Sequence, residues 1–131
     1  MDTIPAVTSV VGAVVAVATL VNAVRQYRRK VHLDIFREYV ERYNRIVTPD
    51  MYQRWHEALT GNREEWAAVT PTMLQYLNLV WEEYVLSRNG VIPRRLWRLW
   101  RPEIELVLAS EFAKATMDAH GFHFPNELTC A

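Results

Sequence analysis

Residues 4–30 read IPAVTSVVGAVVAVATLVNAVRQYRRK. The stretch from Ile4 to Val24 carries no charge and is rich in Val and Ala. As a helix rising 1.5 Å per residue it is about 31 Å long, close to the roughly 30 Å hydrocarbon core of a bilayer. A strand of that length would be abnormal, and the chain offers no second strand to pair with it. Arg25, Arg28, Arg29 and Lys30 follow at once, with Tyr27 among them, where an aromatic ring suits the headgroup level. The excess of basic residues on that side predicts an N-terminus outside and a C-terminus in the cytoplasm. Only Asp2 and the α-amino group stand before the stretch, not the positive region that opens a secretory signal. Residues 1–24 are therefore read as a transmembrane segment and residues 25–131 as a cytoplasmic domain. Within the segment Thr8, Gly12 and Ala16 recur every four positions, with Ser9 and Ala13 beside them. Small residues at that spacing let two helix backbones approach in lipid, so this face is the candidate for self-association.

The rest of the composition narrows the function classes. Of 131 residues, half are hydrophobic and 23% are charged, which excludes a disordered chain. Lys+Arg and Asp+Glu number 15 each, so no global basic excess exists to support general nucleic-acid binding. The single cysteine, Cys130, excludes an intrachain disulfide and reads as an inert tail thiol.

After the span the chain reads as helical throughout. Helix formers continue from Arg25 to Val47 without a linker, predicting one unbroken helix. Leu33, Phe36, Val40, Tyr43 and Val47 alternate three and four apart and line one side. That stripe suits a packed core helix better than a coiled coil, because Arg37, Tyr39, Asn44 and Ile46 beside it lack interhelical charge pairs. Glu38 with Arg42 and Glu41 with Arg45 are spaced to pair on the solvated side. Thr48-Pro49-Asp50 ends this helix and starts another, which Gly61 closes. Asn62-Arg63-Glu64-Glu65 resembles a capping box before a short turn containing Trp66. Thr70-Pro71 then opens a helix with Leu74, Leu77, Trp81, Tyr84 and Val85 on one face, stopped by Asn89-Gly90. Pro102 is expected to separate residues 94–101 from a last helix at 103–119, or to kink the chain between them. His120-Gly121 ends that helix, and Phe122 and Phe124 are expected to fold back onto the bundle. The fold class is all-α: one N-terminal transmembrane helix and a cytoplasmic bundle of about five helices.

Tyr76-Leu77-Asn78, then Glu82-Glu83, Arg88-Asn89-Gly90-Val91-Ile92 and Trp97 form a further pattern. With the preceding span, it resembles a domain-of-unknown-function family of small bacterial proteins having one N-terminal membrane helix and a short helical cytoplasmic domain. The resemblance covers nearly the whole chain and implies bacterial origin and topology only; the expected location is the inner membrane. It implies no activity, because its motifs are helix-packing signals.

The chemically distinctive segment is Arg94-Arg95-Leu96-Trp97-Arg98-Leu99-Trp100-Arg101. Between Val85 and Pro102 there are five Arg and no acid. Three readings stay open for it. It is a bundle helix with buried Trp97 and Trp100, an element lying on anionic headgroups, or a holder of nucleotide or RNA phosphate. His120 and His123 have a spacing seen among metal ligands, yet no Cys pair or HExxH helix accompanies them, so no metal is expected. Neither P-loop, dinucleotide glycines, nucleophile elbow nor zinc spacing occurs, so neither catalytic residues nor cofactors are expected. Asn78 falls inside an apolar stripe and calls for a hydrogen-bond partner. Glu82 and Glu83 read as partners for arginines.

The expected function is thus that of a non-enzymatic single-pass membrane protein whose cytoplasmic domain binds a partner membrane protein or another copy of itself. Two alternatives remain. One is a membrane effector that senses a nucleotide-like anion through the Arg/Trp helix and oligomerises in the bilayer. The other is a small subunit of a larger membrane complex.

Overall fold

The computed structural model describes residues 3–129, and the side chains of residues 9–128. The Thr8 side chain of the small-residue face, and Cys130, lie outside what is described. Six α-helices occur among the described residues, with no strand: α1 Thr3–Ile46, α2 Pro49–Leu59, α3 Trp66–Arg88, α4 Arg94–Leu108, α5 Glu111–His120 and α6 Asn126–Thr129. A 3-10 turn, Arg63–Glu65, precedes α3. The chain divides into two units, one ending at Ile35 and one beginning at Phe36.

In the first unit every side chain from Ser9 to Lys30 is exposed. Helix α1 contains an 18-residue window of mean hydropathy 1.5, none of it buried, long and apolar enough to cross a membrane. Its continuity to Ile46 is as the run of helix formers predicted.

The second unit is a helical bundle around α3, which packs against α2, α4 and α5. The sequence punctuation acts where expected at most joints. Thr48 is the N-cap of α2 with Pro49 in its first turn. The Asn62 side chain accepts from the Glu64 amide. Gly121 ends α5 in the left-handed region at φ 72°, where a Cβ would be strained. Phe122 and Phe124 pack back against the core, Phe124 lying 5.8 Å from the Trp81 ring.

Both interior prolines depart from expectation. Helix α3 begins at Trp66 and runs through Pro71, and α4 runs through Pro102 to Leu108. The break expected at Pro102 falls instead at Ser110, whose Oγ accepts from the Ala113 amide at 3.1 Å and caps α5. Proline supplies a helical φ and loses one hydrogen bond. At exposed Pro102 the freed Arg98 carbonyl can turn to water, while Trp100, Ile104 and Leu108 hold the flanking turns to the core.

Two faces also differ. Among the described side chains of α1 the buried one is Tyr39, with Val40 at the edge of exposure and Leu33 exposed. On α3 the buried positions include Val69, Met73, Tyr76, Val80 and Glu83, whereas Trp81 and Asn78 are exposed. Asn78 therefore needs no internal partner. A helix enclosed by neighbours carries apolar residues on several sides, and spacing does not choose between them.

Candidate functional site

Three helix faces converge in the second unit. From α1 come Tyr39 and Tyr43, four residues apart. From α3 come Tyr76, Val80 and Glu83, again one helical face. From α4 come Trp100, Glu103 and Ile104. Together with Val40 and Leu79 they line a half-open cavity of about 110 Å³. Its rings are set at steep angles: Tyr39 and Trp100 lie 5.7 Å apart at 54°, and Tyr43 and Tyr76 lie 6.2 Å apart at 73°.

The charge arrangement around this cavity is asymmetric. Arg42 donates to both carboxylate oxygens of Glu82, 2.9 Å at Nη1–Oε1. The Tyr39 hydroxyl donates to the same carboxylate at 3.3 Å, and the Arg42 guanidinium sits 5.1 Å from the Tyr39 ring centre. These hydrogen bonds to Arg42 hold Glu82 below its usual range. Glu83 is only 7% exposed and forms no ion pair among the described residues. Burial pushes its carboxyl up to about 7; Arg42 opposes that rise, while Glu82 and Glu103 add to it. Burial and the nearby Glu103 carboxylate push Tyr43 up to about 12, and burial takes Tyr76 well above its ordinary value.

A second, more polar recess of about 400 Å³ is lined by Tyr84, Ser87, Arg88, Arg94, Trp97, Arg101, Glu127 and Leu128. A carboxylate already stands in it. Glu127 accepts from the Tyr84 hydroxyl at 2.6 Å and lies 3.7 Å from Arg88 Nη1. Arg101 donates to the Glu127 carbonyl at 2.9 Å and to Glu105 at 2.6 Å.

The six residues proposed from sequence for an anion or headgroup therefore divide. Arg94, Trp97 and Arg101 meet in the polar recess. Trp100 turns to the tyrosine cavity and also stacks near Phe36, at 6.2 Å. Arg95 and Arg98 are exposed, beside Leu99 and Leu106, which are exposed as well. Both tryptophans are half-buried against the core. On α1, Gly12 and Ala16 are exposed, and a Cβ on Gly12 would meet nothing within 4 Å. Arg25, Tyr27, Arg28, Arg29 and Lys30 are exposed too. Among the described residues no group of three or more His, Cys, Asp or Glu could hold a metal ion.

The convergence of Glu83 with Tyr39, Tyr43 and Tyr76 on one pocket escaped the sequence reading, which gave Glu83 an arginine partner. The helical spacing of Tyr76, Val80 and Glu83 was available as a signal. Glu82 and Glu83 are adjacent, however, and nothing in the sequence says which of the two is inside.

The chain matches no family model, no curated protein and no solved structure.

Proposed function

We propose that this is a single-pass inner-membrane protein, N-terminus outside, whose cytoplasmic helical domain binds a partner membrane protein or a second copy of the chain. One observation carries the reading: the apolar window of α1 is wholly unburied. Val10, Val14, Val17 and Leu20 are each about 60% exposed or more, and lipid removes such side chains from water at no cost in unpaired backbone groups. Arg25, Arg28, Arg29 and Lys30 give the orientation, and Gly12 and Ala16 give the close-approach face. The test is alkaline extraction of membranes from cells making the full chain. Retention in the pellet is the expected result, and release into the supernatant overturns the reading. Orientation is checked at Cys130 with a membrane-impermeant maleimide: labelling is expected only after the inner membrane is opened.

A second reading, an anion-responsive membrane effector, is favoured by the polar recess. Arg88, Arg94 and Arg101 with Trp97 surround it, and Glu127 supplies an internal anion that a phosphate would displace. Nucleotides and short RNAs titrated against Trp fluorescence should give a saturable change, tightened in Glu127→Gln. A flat response across the panel ends this reading.

A further inference from the structure

The tyrosine cavity combines two features that ordinary core packing avoids together. It is a half-open pocket of about 110 Å³, room for several waters. It also holds a buried carboxylate, Glu83, without a cationic partner. The nearest arginine, Arg42, is committed to Glu82 by a two-point hydrogen bond and cannot serve both. A buried carboxylate is costly unless it is paired or protonated.

We infer that this cavity binds a small alkylammonium cation, enclosed by Tyr39, Tyr43, Tyr76 and Trp100 and neutralised by the Glu83 carboxylate. Two angled ring pairs, Tyr39 with Trp100 and Tyr43 with Tyr76, line the pocket, and electron-rich ring faces attract cations that carry methyl or methylene groups. Leu79, Val80 and Ile104 complete apolar walls that suit those groups. A hard metal ion is a poor occupant, since it asks for six or more oxygen ligands and the cavity offers two carboxylates, Glu83 and Glu103. An anion is excluded by the same two groups.

The site is linked to protons. Glu83 titrates with Tyr39, Arg42 and Tyr43 facing it from α1, Tyr76 and Glu82 from α3, and Glu103 from α4. Because a bound cation favours the ionised carboxyl, affinity rises with pH, by about tenfold between pH 6 and pH 8.

The experiment uses the full-length protein in detergent, so it reads the cavity whether or not the chain spans a bilayer. Choline is titrated against Trp fluorescence, beside its neutral carbon isostere dimethylbutanol. Saturable binding of choline, at least about tenfold tighter than the isostere, is expected. Glu83→Gln keeps the shape and should weaken choline about tenfold, and exposed Glu103→Gln should weaken it less. Equal binding of choline and isostere, or no saturable response, overturns the inference on the unaltered protein without any variant. Repeating the titration in nanodiscs separates two sources of the group. Loss of free-choline binding in phosphatidylcholine but not in phosphatidylglycerol marks a lipid headgroup as the occupant. Equal binding in both marks a dissolved amine.

Discussion

Glu83 links stability to pH because its environment favours the protonated form. Burial is the main cause, and the carboxyl rises from 4.5 to about 7. The unfolded chain ionises first, so stability is full below about pH 4.5 and falls as pH rises through about 7. The total loss is on the order of 3 kcal/mol. Glu83→Gln cannot ionise. It should match the parent at pH 4 and exceed it by up to about 3 kcal/mol at pH 8, as read from denaturant midpoints at both pH values. Parallel curves for the two proteins would show that Glu83 is hydrated and ordinary. Arg42→Gln acts in the opposite sense on the same group. Its ion pair is partly exposed and contributes only about 0.5–1 kcal/mol. Removing it also takes away the charge that holds Glu83 down, so the steep part of the stability curve should move to higher pH.

Among the elements, the junction between α4 and α5 shows how a cap decides what a proline does not. Ser110 Oγ accepts from the Ala113 amide and donates to the Val107 carbonyl at 2.6 Å, joining the end of one helix to the start of the next. Ser110→Ala should cost about 1 kcal/mol, measurable as a shift in unfolding midpoint with unchanged slope. Pro102 sits inside α4 on its exposed side. Pro102→Ala restores the amide and should stabilise α4 by on the order of 1 kcal/mol, the gain being reduced by the freer unfolded chain. A loss of stability on that substitution would mean that the proline ring packs, contrary to its exposure. The Arg/Trp segment makes a related point. Its tryptophans line two different recesses, Trp97 the polar one and Trp100 the tyrosine cavity, so the segment does not present both rings on one face.

For the whole molecule, the proposed membrane reading turns on the transfer of α1 into lipid. A charge at the centre of a spanning helix costs about 2.5–3.5 kcal/mol. The sequence there is only mildly hydrophobic, with Thr19 turning its hydroxyl back onto the Val15 carbonyl at 2.8 Å to hide its donor. A single Val14→Arg should therefore move a substantial fraction of the protein from the membrane pellet to the supernatant. An unchanged distribution would show that α1 is held by a partner and not by lipid.

The sequence by itself determined the all-helical class, the long apolar helix, and the joints at Pro49, Gly61, Gly90 and Gly121. Those features follow from the backbone preferences of single residues and from length, which need no knowledge of neighbours. The tertiary structure alone decided that Pro71 and Pro102 are tolerated, because packing on both flanks outweighs one lost hydrogen bond. It also decided which of Glu82 and Glu83 is buried. Adjacent residues on a helix point about 100° apart, and only the placement of α1 and α4 around α3 gives one of them Arg42 and the other a ring-lined cavity.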